Sequence, residues 1–219
     1  MLFSQFIRLK RLTESPKSII VYQITMVILT GPSLAHWNFF LALEKDIEVL
    51  SRFIEFSEKN FECYSLEIAR ILFAAASEVD VVAKQLCVKV NTNSTASNIH
   101  QYRDEIKNVY SNIPNFKVTI PRFGLELSPW TNWNNPNGVP DWWTAYNKVK
   151  HNRNTDYDKG NLKNCLNAVA GLFVIILYLY KEKAENAELI PIPYLFRVTE
   201  EHFDGATLND IDFGINYRL

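Results

Sequence analysis

The residues best suited to chemistry lie in one stretch, DWWTAYNKVKHNR at positions 141–153. If the stretch is wound as a helix at about 100° per residue, several polar and aromatic side chains share one broad face. They are Trp143, Tyr146, Asn147, Lys150, His151 and Asn154. Lys148 and Asn152 then point the opposite way. The pattern predicts a helix with one face rich in hydrogen-bonding groups.

His151 is the residue of this helix that could exchange protons near neutral pH. Asn147 precedes it by four residues, so the two side chains can touch and the amide can orient the imidazole ring. Lys150 and Arg153 lie close enough to hold a phosphate beside the histidine. The alternative interpretation is structural: the helix docks its tryptophans in the core and exposes its lysine, histidine and arginine to solvent.

The composition is that of an ordinary soluble protein rather than of a general nucleic-acid binder. The 219 residues suit one domain with appendages, with 47% hydrophobic and 21% charged residues. The net charge of −1 argues against non-specific binding to nucleic acid, although a local basic patch remains compatible with it. The three cysteines, at 63, 87 and 165, are widely spaced, which fits a reducing cytoplasm.

The sequence contains no recognisable metal or cofactor site. No cysteine pair has zinc-finger spacing, and the histidines at 36, 100, 151 and 202 are too far apart in sequence for a local metal cluster. The glycine-rich phosphate loops, the HExxH zinc motif and the GxSxG elbow do not occur. We therefore expect neither a metal nor a cofactor.

Two apolar runs are candidates for a segment that enters a membrane. The run at 18–31 is broken by Gln23 and Thr25, and no clear signal-peptide cleavage site follows it. The uncharged run at 164–180 is shorter than the roughly 20 apolar residues that a membrane span needs. We expect no membrane insertion and a soluble, cytoplasmic protein, with the second run forming a buried helix.

Hydrophobic periodicity predicts long helices over about 34–61, 65–90 and 161–185, and a shorter one over 99–109. The last long helix is apolar on most sides, so it should be central. The second carries an alanine cluster at 74–76, with Glu78 at the margin of its apolar stripe. Glu78 could reach a basic group across the bundle, or it could be solvated.

Three segments stand outside these helices. Residues 1–31 are predicted to be an N-terminal arm, either packed on the body or arising from an over-extended start codon, since Met26 lies inside it. Residues 113–140 are predicted to be an insertion with a hairpin over 116–127 and a loop whose tryptophans either pin it to the core or form a stacking surface for a base. Residues 191–219 are predicted to be an irregular tail that could contain short strands, following a domain over 32–190.

An acid-bearing, alanine-rich early helix, the Asn147-x-x-x-His151 pattern and a long apolar closing helix together resemble the HEPN superfamily. The resemblance spans about 34–185, with 113–140 as an insertion. It implies a mainly α fold, a HEPN-like helical bundle with a small β-hairpin and loop insertion, and a homodimer. Many members of that family are metal-independent ribonucleases of toxin–antitoxin and phage-defence systems.

The resemblance also implies roles for particular residues. His151, Asn147 and Arg153 would be catalytic, and Lys150, Tyr146, Trp143 and Glu78 would bind substrate. The family's motif places an arginine five to seven positions before the histidine, where this chain has Thr144, Ala145 and Tyr146. The expected partners are RNA and an antitoxin or nucleotidyltransferase. The alternatives are a non-catalytic RNA- or nucleotide-binding module and a structural dimerisation protein.

Overall fold

The computed structural model describes residues 8–11, 22–25, 33–209 and 212–219. The chain divides into two compact units, Met1–Leu34 and Ala35–Leu219. In the first unit, strands β1 (Arg8–Arg11) and β2 (Tyr22–Thr25) pair in antiparallel fashion. Most of the arm predicted over 1–31 lies outside the described residues, so the hypothesis of an over-extended start codon stays a prediction.

The second unit is mainly α-helical, as the sequence predicts. Its helices are α1 (Ala35–Leu50), α2 (Leu66–Val90), α3 (Ile99–Val109), α4 (Asp141–Asp156), α5 (Leu162–Leu179) and α6 (Lys181–Glu185). Three of these helices begin at a capping side chain. Ser65, Asn98 and Asn161 each accept a hydrogen bond from a backbone N–H of the first helical turn that follows. These caps explain why the predicted starts of α2, α3 and α5 agree with the structure to within one residue.

Helix α5 is the centre of the unit. By length and composition it is the one helix in the described part of the chain that could cross a membrane, but 83% of it is buried inside the protein. Such burial is typical of the core helix of a soluble protein. The prediction of a buried central helix is confirmed.

Helix α1 is shorter than predicted, because it ends at Leu50 and not near residue 61. Beyond Leu50 the backbone tightens, since the N–H groups of Arg52 and Phe53 bond three residues back instead of four. Phe53 is 79% exposed, whereas Phe56 is buried against Phe123 with ring centroids 4.8 Å apart. The aromatic residues after Leu50 therefore do not continue the buried face of α1, because the chain turns there.

The predicted hairpin is present and is part of a three-stranded sheet. Strand β3 (Val118–Ile120) pairs with β4 (Leu125–Leu127) on one side and with β5 (Arg197–Val198) on the other. Beyond this sheet, strands β6 (Phe203–Asn209) and β7 (Asp212–Tyr217) form a second antiparallel hairpin. The segment 191–219, predicted to be irregular with short strands, supplies three strands, so more of it is regular than the sequence indicated.

A buried carboxylate ties the start of this C-terminal segment to α1. Glu44 is 4% exposed and accepts hydrogen bonds from the backbone N–H groups of Tyr194, Leu195 and Phe196, at 2.8, 2.8 and 3.0 Å. Charge-assisted bonds of this kind are stronger than those between neutral groups. They hold the chain immediately before β5 against the helical body.

The tryptophans of the 128–140 loop pin it to the core, which was one of the two predicted alternatives. Trp130 and Trp133 are fully buried, and the Trp130 indole donates to the carbonyl of Gly171 in α5 at 3.2 Å. Gly138 allows the loop to fold tightly, since a Cβ at that position would lie 1.7 Å from the carbonyl oxygen of Asn132. The loop therefore reaches α4 in a defined conformation.

Candidate functional site

A cleft of about 390 Å³ lies between the start of α3 and the outer face of α4. We call it the α3–α4 cleft; the residues that line it are Ile99, His100, Val139, Trp143, Thr144, Asn147, Lys148, His151 and Asn152. Two histidines, one lysine and two amides thus meet beside a tryptophan. Among these lining side chains, all from the described part of the chain, none is a carboxylate.

The core-facing side of α4 decides which of its residues reach the cleft. Trp142, Ala145 and Val149 are buried, and the Trp142 indole donates to the carbonyl of Pro129 at 2.8 Å. This anchoring turns Trp143 outward, where it is half-buried and packs edge-on against Trp142 with centroids 5.8 Å apart. An indole so held offers an aromatic face that needs little ordering when a ligand binds.

Helix α3 forms the opposite wall and is fixed independently. The Tyr102 hydroxyl donates to Asp80 of α2 at 2.9 Å, and Ile106 is fully buried. Arg103, only 7% exposed, donates to the carbonyl of Gly138 at 3.3 Å and so joins α3 to the loop that carries Val139. Both walls of the α3–α4 cleft are therefore built on rigid elements.

The structure corrects the predicted face of α4. Lys148 and Asn152, expected on the far side, line the cleft, whereas Tyr146 and Lys150 do not. Tyr146 packs edge-on against Phe73 of α2 at 5.5 Å, and the Lys150 ammonium lies 5.4 Å from the Tyr146 ring. The predicted functional face of α4 differs from the observed one because the sequence did not show which side of this polar helix is buried.

Asn147 does not orient His151 as predicted. Its amide nitrogen donates to the Trp143 carbonyl at 3.1 Å, one turn back in its own helix. His151 is exposed and its ring makes no hydrogen bond within the described part of the chain. Regular helix stops directly after it, since Asn152 has φ −133° and ψ 45°.

Two other predicted site residues lie elsewhere. The Arg153 guanidinium sits 4.8 Å from the Tyr157 ring and is not among the residues of the cleft. Glu78 faces α1, where its carboxylate is 2.6 Å from Nδ1 of His36, both side chains being about 15% exposed. Glu78 thus does reach a basic group across the bundle, and it is not among the residues that line the α3–α4 cleft.

Sequence reasoning missed His100, the residue that changes the chemistry of the site. Nothing in the sequence indicates that the first turn of α3 lies beside α4, because 31 residues separate the two helices. The described residues contain no group of three or more metal-ligating side chains. The polar groups that line this cleft are the two imidazoles, the Lys148 ammonium, the two amides and the Thr144 hydroxyl.

A larger cavity, of about 720 Å³, lies between the C-terminal end of α3, Lys181 of α6 and the residues that flank the β6–β7 hairpin. It is less suited to an anionic ligand, because its cations already have partners. Lys181 lies 3.4 Å from Glu185, and Arg218 is paired with Asp204. Lys148 in the α3–α4 cleft has no such carboxylate partner within the described chain.

Comparison with protein families, with curated proteins and with solved structures gives no match for this chain.

Proposed function

We propose that this protein is a HEPN-like RNA-binding protein whose α3–α4 cleft holds single-stranded RNA and cleaves it without a metal ion. The observation that carries the proposal is the composition of the cleft. Two histidines and a lysine surround an outward-turned tryptophan, with no lining carboxylate to repel a phosphate. The protein as a whole has a net charge of −1, so this local composition is not a general property of its surface.

The binding part of the proposal depends on four side chains of α4. A base stacks on the Trp143 indole, since aromatic stacking suits every base and contributes about 1–3 kcal/mol per base. The Lys148 ammonium contacts a phosphate as a point charge, and the amides of Asn147 and Asn152 offer hydrogen bonds to the sugar or the base. This arrangement favours a splayed single strand over a duplex, whose bases are not exposed for stacking.

The catalytic part assigns proton transfer to His151. The ribose 2′-oxygen attacks the adjacent phosphorus, the bond to the 5′-oxygen breaks, and the products are a 2′,3′-cyclic phosphate and a 5′-hydroxyl. Positioned acid–base groups of this type typically contribute about 10²–10⁴-fold in rate. Lys148 replaces Lys150 and Arg153 as the cation beside the histidine, because those two side chains lie over tyrosine rings.

A non-catalytic RNA-binding module is the second candidate, and one observation favours it. The Asn147 amide bonds to its own helix and not to His151, so no protein group orients the imidazole within the described chain. No arginine lines the cleft either. A module of this kind needs only Trp143 and Lys148. A purely structural dimerisation protein, the third candidate, needs none of these residues to be accessible.

Binding is tested by the anisotropy of a labelled single-stranded RNA at several salt concentrations. Lys148→Ala should weaken binding and lower the salt slope by about one. Lys150→Ala, two residues further along the same helix, should have the smaller effect because its ammonium lies over Tyr146. Equal effects of the two substitutions would place the RNA outside the cleft, and no binding by the wild type would refute the proposal.

Cleavage is tested with purified protein in EDTA, by following both the loss of RNA and the appearance of 2′,3′-cyclic ends. His151→Ala should lower the rate by at least about 100-fold. Arg153→Ala should have little effect. Binding without cleavage by the wild type would select the non-catalytic module.

The remaining elements of the proposal follow from the family resemblance. We propose a homodimer located in the cytoplasm, with an antitoxin or nucleotidyltransferase as its protein partner. Analytical ultracentrifugation tests the dimer, and a monomer at micromolar concentration would refute it. An adjacent gene for a small antitoxin or nucleotidyltransferase, and co-purification of its product, would support the partner.

A further inference from the structure

The α3–α4 cleft contains a second histidine that the HEPN resemblance does not account for. His100 lies in the first turn of α3, and His151 lies on α4 across the cleft. Both side chains are exposed, and neither ring makes a hydrogen bond to another described residue. Two imidazoles without hydrogen-bond partners among the described residues therefore line the α3–α4 cleft, one from each helix.

Two proton-transfer groups are what phosphodiester cleavage at a ribose requires. One group must accept the proton of the 2′-hydroxyl, and another must donate a proton to the departing 5′-oxygen. The described residues offer no metal cluster to replace either group. No lining side chain of the cleft is a carboxylate, so the histidines are the lining groups best suited to exchange protons near neutral pH.

We propose that His100 is a second catalytic residue of the cleft, acting as the base while His151 acts as the acid. This inference rests on the proposed ribonuclease function. His100, neutral, takes the 2′-hydroxyl proton as the 2′-oxygen bonds to phosphorus. His151, protonated, gives its proton to the 5′-oxygen as the bond from phosphorus to that oxygen breaks. Exchange with water then restores both starting states.

The two histidines occupy different positions in their helices. The N-terminal end of a helix disfavours positive charge and the C-terminal end favours it. His100 is the second residue of α3, whereas His151 is the last residue before the non-helical Asn152 in α4. We assign the base to His100, near the start of α3, and the acid to His151, where regular helix stops in α4, and the sulfur substrate described next tests this order.

The experiment compares His100→Gln and His151→Gln on two RNA substrates in EDTA. Glutamine keeps a hydrogen-bonding side chain of similar size but cannot exchange the proton. One substrate is an ordinary dinucleotide. In the other, sulfur replaces the 5′-bridging oxygen, so the leaving group departs as a thiolate and needs no acid.

On the ordinary substrate, both variants should be at least about 100-fold slower than the wild type. On the sulfur substrate, His151→Gln should return to within about tenfold of the wild type, while His100→Gln should stay slow. The two variants control for each other, because both positions are exposed and carry the same substitution.

Three results would overturn the inference, and they are distinguishable from one another. If His100→Gln cleaves the ordinary substrate like the wild type while His151→Gln does not, His100 is not catalytic and the proposed function stands. If the sulfur substrate rescues His100→Gln instead, the two roles are reversed. If the wild type cleaves neither substrate, the ribonuclease proposal fails and the role of His100 fails with it.

Discussion

Replacement of Glu44 by alanine should destabilise the protein more than any other single carboxylate change near it. The substitution removes the acceptor for three backbone N–H groups, those of Tyr194, Leu195 and Phe196. Leu195 and Phe196 are 2% and 0% exposed, so their N–H groups have little access to water once the carboxylate is gone. The segment before β5 would then lose its hydrogen-bonded attachment to α1.

The size of the effect follows from these contacts. A hydrogen bond to a charged group contributes about 1.5–3 kcal/mol, and a buried donor left unpaired costs about 1–3 kcal/mol. The two buried N–H groups, those of Leu195 and Phe196, would together lower the free energy of unfolding by about 2–6 kcal/mol. Water entering from the neighbouring cavity, lined by Leu41 and Pro191, offsets part of it. We expect about 3 kcal/mol, which lowers Tm by roughly 6–12 °C for a chain of this size.

The assay is urea and thermal unfolding of the full chain, followed by far-ultraviolet circular dichroism. Glu48→Ala is the matched control, because it lies one turn further along α1, borders the same cavity and makes no side-chain hydrogen bond among the described residues. Its cost should stay within about 0.5 kcal/mol. Equal stabilities for the two variants would show that the Glu44 contacts do not hold the C-terminal segment.

Two further predictions concern the loop before α4 and the cysteines. Gly138→Ala should lower the free energy of unfolding by about 3 kcal/mol, because its Cβ would overlap a backbone carbonyl. Gly124 has φ +62° and open space around it, so Gly124→Ala should lower that free energy by only about 1 kcal/mol. Similar Tm values for the two variants would contradict the close approach at Gly138. Iodoacetamide should label only exposed Cys63 in the native protein, since burial raises the pKa of Cys87 to about 12 and also raises that of Cys165. Mass spectrometry should therefore count one label natively and three in denaturant, and native labelling of either buried thiol would refute that packing.

Local sequence was sufficient for the helices whose patterns carry their own start signals. The bounds of α3, Ile99–Val109, agree with the prediction because Asn98 caps the helix and its apolar residues repeat at helical spacing. The strands around Gly124 were predictable for a similar reason, since alternating residues flank a turn that needs positive φ. In each case the information lies within a few neighbouring residues.

The candidate site was only half predictable. The sequence identified His151 and Trp143 by residue type, and both line the α3–α4 cleft. It could not identify Lys148 or His100 as their neighbours. Helix α4 has polar and aromatic residues on most sides, so periodicity does not reveal its buried face.

The tertiary structure supplied that missing information through contacts distant in sequence. The Trp142 indole bonds to the carbonyl of Pro129 and so turns Trp143 and His151 outward. Arg103 bonds to the carbonyl of Gly138 and draws α3 toward the same loop. Sequence by itself determined which side chains could exchange protons and bind phosphate. Only the packing of the loop and the two helices decided which of them meet, because their proximity depends on contacts between residues far apart in the chain.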